Sequence, residues 1–418
     1  MGLGHLIPHL EFAKRLVVHH GIRVSLLVVT TSEPSAATQD QLLGSPHLPA
    51  DLHIIHLPPV DVDKMIIDYD DALVLTRLCT ITGESLRSLK SVLIEIGKPK
   101  ALVTDLFATQ AFDVCKELSI PAYLYSTTSA AFNAFMLYLQ SLTVMLSHKC
   151  EFIDLPGLIQ VPGCSPIWIA DLLDQDLEPM SIKGIQQNPF FKKIPTPPFY
   201  PVGPIIKQEE TLSYTECLEW LDKQPPDSVL FLKFGSGGTL SFEQQTELAC
   251  GLELSQQRFM WVVRKPTDTP GAGFLNSTRD VGFVVSSWAP QVAVLAIPPT
   301  EGFLSHCGWN SALESIVHGL PIVAWPLYAE QRMNATLLAE VMGVAVKAKM
   351  EAGETGRALS GEKRLREWRG RMMEGEEGKV IRCRVKELKE SAAKALNSNR
   401  SSYDSPSCVA DQWKTELN

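Results

Sequence analysis

Nowhere does this chain carry an uninterrupted apolar run of eighteen or more residues, so no membrane-crossing helix is expected, since spanning the hydrocarbon layer takes about 20. None of its nine cysteines (Cys79, Cys115, Cys150, Cys164, Cys217, Cys250, Cys307, Cys383 and Cys408) stands in CxxC spacing. Neither a zinc site nor a disulfide framework is therefore indicated, and scattered thiols suit a reducing, cytoplasmic setting. A basic stripe is missing as well. With a formal net charge of −9, neither nucleic acid nor an anionic membrane surface is expected as the main partner. A signal peptide is not expected either, because the opening segment turns helical and charged by Glu11, Lys14 and Arg15.

What is present is enough apolar material for large cores. Hydrophobic residues make up 45% and charged residues 20% of 418 positions, more chain than one core usually supports, so two domains are expected. Apolar strands alternate with amphipathic helices, the pattern of a parallel sheet covered on both faces. Leu6, Leu10, Ala13 and Val17 fall at helical spacing, with Pro8 expected in the first turn and Gly21 at the stop. Strands are expected at Val24 to Val29, Ala101 to Leu106 and Ala122 to Tyr125, with a helix around Ala108 to Leu118. A second set follows at Val229 to Phe234, Phe259 to Val263, Val281 to Val285, Gly302 to His306 and Leu320 to Trp325. Between the sets lies PTPPFYPVGPIIKQEETLS, rich in proline and then polar, as a linker should be. This places residues 1–207 in one domain, 208–395 in a second, and 396–418 in a helical tail packing back toward the first.

The densest chemistry lies from Trp288 to Gln331, WAPQVAVLAIPPTEGFLSHCGWNSALESIVHGLPIVAWPLYAEQ. A short buried strand, GFLSH, turns through Cys307 and Gly308 into a helix from Trp309 to His318. The first amides of such a helix lack intrahelical partners and its dipole favours negative charge, so the turn is an anion site fit for a diphosphate. Asn310 and Ser311 add donors, and His306 stands just before them. Glu314 follows Asn310 by one turn on the same face, where a carboxylate can accept both hydroxyls of a ribose. Trp288 offers an indole face for a flat base, worth roughly 1–3 kcal/mol. Glu330 and Gln331 close the run with groups suited to sugar hydroxyls. Taken singly, each residue has a structural reading: tryptophans in the core, a solvated helix carboxylate, a satisfied histidine. The joint order and spacing favour the site.

Over those positions, without a gap, the run resembles the signature box of plant family 1 UDP-dependent glycosyltransferases of small molecules. The resemblance implies that Trp288 stacks on uracil, that Ala289 and Gln291 contact uracil and ribose, and that Glu314 holds the ribose hydroxyls. It implies that His306, Asn310 and Ser311 take the diphosphate, and that Trp309, Glu330 and Gln331 take the sugar, with a terminal glutamine pointing to UDP-glucose as donor substrate. The fold implied is GT-B, two doubly wound Rossmann-like α/β domains facing across a cleft. By the same resemblance His5, in MGLGHLIP, is the general base, and Asp105, at the end of ALVTDL, orients it. Thr127 in YSTTSA matches a hydroxyl near the donor sugar, with Thr128 as neighbour. Ser236 in FGSGGTLS matches a loop closing over the phosphates. SGGTLS, CEFIDLP, VPGC and AWPLYAEQRMNA look most like the subgroup acting on hydroquinone and phenylpropanoid alcohols.

A positioned imidazole contributes typically 10²–10⁴-fold as general base, and direct displacement at the sugar inverts it. No metal and no cofactor are expected, because helix dipole and diphosphate donors can stabilise departing UDP. His5 and His9 share a zinc-like spacing, but no third ligand accompanies them. Asp105 has a second reading as a helix cap. Departures from the family pattern are a missing first strand before the glycine-histidine loop, a short join between DLLDQD and LEPMSIKGIQ, a shortened KPTDTPGAGFLNSTRDVG, and an altered GEKRLREWRGRMMEGEEGK that keeps Leu365, Trp368 and Met372 at helical spacing. Lys233 breaks the apolar strand VLFLKF with a charge costly to bury unpaired. Two functions follow: an inverting glucosyltransferase acting on a small phenolic hydroxyl, and a non-catalytic UDP-sugar-binding relative. A monomer is the default expectation.

Overall fold

In the computed structural model the described residues are 3–30, 39, 42–60, 74–145, 157–168, 171, 198–208, 215–264, 270–347 and 375–415. They divide into two compact units, one holding residues 1–166, 174–205 and 396–418, the other 167–173 and 206–395. The helical stripe expected at Leu365, Trp368 and Met372 and the join after DLLDQD lie outside the described residues.

Unit 1 begins with helix α1, Leu3–His20. Leu6, Leu10 and Ala13 recur at helical spacing, and their buried side chains meet Val28, Leu43 and Leu52 in one cluster. The helix starts earlier than expected, so Pro8 lies inside it rather than in its first turn, and the missing proline N–H removes one intrahelical donor. Strands β1 (Val24–Val28) and β2 (Leu52–His56) pair in parallel. Strands β3 (Leu102–Thr104) and β4 (Ala122–Leu124) form a second parallel pair, flanked by helix α2, Ala111–Leu118. Among the described residues no strand joins the two pairs.

Unit 2 holds one parallel sheet of six strands: β5 (Val229–Lys233), β6 (Arg258–Val263), β7 (Gly282–Ser286), β8 (Thr300–Ser305), β9 (Ile322–Ala324) and β10 (Ala345–Lys347). Their order is β10-β9-β8-β5-β6-β7, so the chain winds one way from β5 and reverses at β8. Strand β5 shows why the sheet is buried on both faces. Leu230, Leu232 and Phe234 enter one core cluster and Val229 and Phe231 the other, the two-residue alternation of a strand with apolar residues on both sides. Full burial of a side chain such as Phe231 contributes roughly 1.5–3 kcal/mol. The helix after β5, α3 (Phe242–Ser255), opens on a capping box in which Ser241 and Gln244 satisfy each other's backbone amides. Helices α4 (Gln291–Ala296), α5 (Trp309–His318) and α6 (Gln331–Thr336) follow β7, β8 and β9 in turn.

Two segments belong to a different unit from their neighbours in the chain. Residues 167–173 pack with unit 2, where Asp171 accepts hydrogen bonds from Thr336 Oγ1 at 2.6 Å and Lys347 Nζ at 2.8 Å. A carboxylate this buried needs such partners, which holds its segment to β10. The terminal helix α7, Ser401–Thr415, belongs to unit 1, where Trp413 meets Tyr123 edge-on with ring centroids 5.3 Å apart.

Candidate active site

In unit 1, three sequence-distant residues converge on one imidazole. His5 occupies the first turns of α1, and its Nδ1 donates to Asp105 Oδ2 at 2.8 Å, with Thr127 Oγ1 3.3 Å from the same nitrogen. Asp105 follows β3 and caps the next turn, its Oδ1 accepting the Phe107 amide at 2.9 Å. One carboxylate oxygen thus meets the ring and the other caps the turn. Burial by itself would push the carboxyl up, yet His5, His9 and the Phe107 amide together hold it below its ordinary value. It stays a carboxylate. With Nδ1 committed to that anion, Nε2 of His5 is the nitrogen whose lone pair can take a proton. Phe107 packs against the ring at a centroid distance of 4.9 Å, which narrows its rotation. Thr128 turns elsewhere, bonding Ser126 and Asn133.

His9 lies one helical turn beyond His5. Its Nδ1 donates to the His5 carbonyl at 2.8 Å, and its Nε2 lies 3.9 Å from Asp105 Oδ2. Burial, partly countered by Asp105, lowers its pKa, so the ring is a neutral wall behind the pair. Among the described residues no group of three or more His, Cys, Asp and Glu side chains is placed to hold a metal ion.

In unit 2 the polar groups gather at the carboxyl ends of β7, β8 and β9. Each strand-to-helix turn contains a non-glycine residue in the left-handed region: Ser287 at φ 73°, Cys307 at 63° and Ala329 at 56°. Such residues cost about 1–3 kcal/mol each and persist where surrounding contacts over-determine them. After Ser287, Trp288 stands 53% exposed while Ala289 is buried, so the indole presents a face and its neighbour anchors it. Pro290 caps α4. Gln291 Nε2 then donates to Ser311 Oγ at 3.0 Å and to Glu314 Oε2 at 2.5 Å. The segments after β7 and β8 are thereby cross-linked through three predicted site residues.

His306 follows the last residue of β8 and is nearly buried. A Cβ at Gly235 would lie 2.6 Å from its Nε2, and one at Gly308 would crowd it as well. Only glycine at both positions lets the backbone close on the ring. Its Nδ1 is buried without a partner. Burial, reinforced by Lys233, pushes its pKa down to about 4, so the ring is neutral and offers hydrogen bonding rather than charge. Helix α5 opens on Gly308 with no side-chain cap, leaving its first-turn amides as anion donors. Asn310 and Ser311 lie in that turn. Trp309 packs against the cluster of Ala312, Ile316 and Leu338, so its indole is part of the core beneath the turn.

Gln331 is buried, and its Oε1 accepts the amides of Leu327 at 2.9 Å and Tyr328 at 3.1 Å. Two N–H donors fix which end of the amide points inward, and Nε2 is the end available to a ligand. Glu330 precedes it at the cap of α6. Ser236 is exposed in the loop after β5, and Arg264 Nη1 clamps that loop by donating to Gly237 O at 2.7 Å. Sequence reasoning missed Arg264 and also Asn334, whose buried Nδ2 donates to the carbonyl of left-handed Cys307 at 3.0 Å. No local pattern marks either, since each acts on a loop far away in the chain.

A family model described as UDP-glucoronosyl and UDP-glucosyl transferase matches residues 202–358. UDP-glycosyltransferase 72B1 of Arabidopsis thaliana is 42% identical over 462 positions, covering 99% of this chain and 94% of the relative. That alignment is longer than the chain, so the relative carries segments absent here. Hydroquinone glucosyltransferase of Rauvolfia serpentina is 39% identical, covering 100% of this chain and 97% of the relative. Among solved structures, Phytolacca americana UGT2 complexed with UDP-2fluoro-glucose and pterostilbene aligns with a TM-score of 0.85 at 39% identity, covering 99% of this chain and 98% of that one.

Proposed function

The chain belongs to the UDP-glycosyltransferases of GT-B fold, and from that premise we propose that it transfers glucose from UDP-glucose to a hydroxyl of a small phenolic acceptor, with inversion. The observation that carries the chemistry is the 2.8 Å hydrogen bond between His5 Nδ1 and Asp105. It fixes the tautomer, so that Nε2 takes the phenol proton as the phenolic oxygen bonds to the anomeric carbon. The bond from that carbon to the diphosphate breaks, and its electron pair leaves on UDP. Asp105, held as a carboxylate, stabilises the imidazolium that forms, the same logic as a serine-protease triad. Thr127 helps orient the ring.

In this reading unit 2 holds the donor. Trp288 stacks on uracil beside Ala289, Gln291 and Glu314 take the ribose region, and His306, Asn310, Ser311 and Ser236 meet the diphosphate. The uncapped first turn of α5 stabilises charge developing on the leaving group, a role for preorganised donors that needs no reorganisation during the step. The backbone amide of Trp309, whose indole is turned into the core, and the side chains of Glu330 and Gln331 serve the sugar, and Gln331 favours glucose. The phenolic acceptor is supported by what the relatives are named for: hydroquinone in one, pterostilbene bound in another. No helix of the described residues is long and apolar enough to cross a membrane; seven of the described cysteines are free thiols, the state a reducing, cytoplasmic setting keeps. Calorimetric titration with UDP, run beside a glucosylation assay of hydroquinone with UDP-glucose, tests the proposal. Tight UDP binding together with a glucoside product is the expected result; UDP binding with no product from any simple phenol would favour the non-catalytic reading.

A further inference from the structure

Lys233 ends strand β5. Strands β5 and β8 are the neighbours at which the sheet order reverses, and such a reversal opens a crevice at the carboxyl ends where ligands of parallel sheets bind. Register sets Lys233 beside Ser305 of β8, and the next residue of that strand's exit is His306 with its buried, partnerless Nδ1. Alternation along β5 settles which way the lysine leaves. Since Val229 and Phe231 enter the core cluster that contains Ala289, Ala293 and Val294, Lys233 departs on that same face, toward α4 and the Gln291–Glu314 cross-link.

An ammonium at this place is not explained by folding. The Lys233 ammonium makes no hydrogen bond and no ion pair with any described residue, and the residue extends an apolar run whose other members are fully buried. Its charge is costly there: burial, partly countered by Glu314 and reinforced by Lys207, lowers its pKa to about 8. His306, the adjacent ring, is neutral and contributes no charge. Glu314 adds a carboxylate close to where the anionic ligand must sit.

We propose that Lys233 is an additional donor-binding residue, its ammonium supplying a full positive charge to the diphosphate of the nucleotide at the β5–β8 crevice. The inference rests on the UDP-sugar reading above. The lysine offsets the Glu314 carboxylate and converts a site of dipoles and neutral donors into one with formal charge complementarity. The groups that face it are Glu314 from α5, His306 at the exit of β8, and Lys207 in the segment entering unit 2. Of these, the lysine itself is the group that loses charge between pH 7 and 9, so grip on the diphosphate weakens over that interval.

Calorimetry on the full chain and on Lys233→Met, with UDP and with uridine at pH 7.0 and pH 8.8, tests this. At pH 7.0 the variant is expected to bind UDP roughly tenfold more weakly, the size of one charge-assisted hydrogen bond, with uridine affinity unchanged. The wild type is expected to lose most of that factor by pH 8.8 and the variant to lose none; the uridine arm corrects for titration of the base. The variant's Tm is expected to rise by roughly 2–4 °C, because an unpaired buried charge has gone. UDP affinity equal in the two proteins, or a uridine loss as large as the UDP loss, overturns the assignment. The wild-type pH series reads the same charge without any substitution, and a UDP-to-uridine ratio that stays flat from pH 7.0 to 8.8 overturns it also. A wild type that binds no UDP at all overturns the UDP-sugar reading together with the lysine's role in it.

Discussion

In unit 2 six parallel strands share one sheet, and three successive strand-to-helix turns deliver polar groups to its carboxyl edge; in unit 1 strands β1 to β4 form two separate parallel pairs, and the polar groups come from one helix, one strand end and one loop. Under the proposed mechanism the contrast follows from what each chemistry demands. Gripping a nucleotide takes many donors spaced over the length of the ligand, so it needs several strand ends in register. Moving one proton takes a ring, a carboxylate and a tight 2.8 Å contact, which a single helix packed beside a single strand end supplies. The two units are therefore expected to fail differently when altered.

The largest separation should come from His5→Ala. Transfer is expected to fall by roughly 10²–10⁴-fold while UDP affinity, measured by calorimetry, stays at the wild-type value. A variant that transfers glucose at near the parent rate would remove His5 from the mechanism and with it the division of labour.

Asp105→Asn probes how the pair is held. Replacing a buried, doubly bonded carboxylate should destabilise unit 1 by about 2–3 kcal/mol. Because the folded value of Asp105 lies below its ordinary 3.8, its contribution is complete above that value and is lost as pH falls through the folded one. Urea melts of wild type and variant should thus keep a constant gap down to about pH 4 and converge below it. A gap that closes already at pH 6 would mean that another group carries the effect.

Trp288→Ala tests the grip of unit 2 in the same terms. UDP binding should weaken by roughly 1–3 kcal/mol, the worth of one base-stacking contact, with no change in the pH profile of transfer. An affinity that stays put would show that the exposed indole does something else. The smallest effect is expected from Gln331→His, a few-fold shift of the donor ratio toward UDP-galactose in a competition assay. Donor preference that does not move would withdraw the basis for naming glucose while leaving UDP recognition intact.

Much of this architecture was legible in the chain. The helix from Trp309 to His318 has the bounds read from its pattern, and every strand expected in the second half lies within about two residues of its place. Such elements are encoded by spacing, two residues for a strand and near four for a helix, which needs no tertiary knowledge. Pro8 misled because its tolerance in a first turn is only a preference, and packing of Leu6 and Leu10 carried the helix past it. The left-handed residues Ser287, Cys307 and Ala329 gave no signal, since none is a glycine and the contacts that hold them come from elsewhere in the chain. Asn334 on Cys307 is one such contact.

The sequence by itself determined the alternating α/β order, the run from Trp288 to Gln331 and the nomination of His5 with Asp105. Only the tertiary structure decided that Asp105 serves as both cap and ring partner, that Gln291 ties Ser311 to Glu314, that Gln331 turns its oxygen inward, and that Lys233 ends at the reversal of the sheet. Periodicity is a local property and survives in one dimension. Partnerships between atoms tens or a hundred residues apart exist only once the cores have closed and fixed the directions of the side chains.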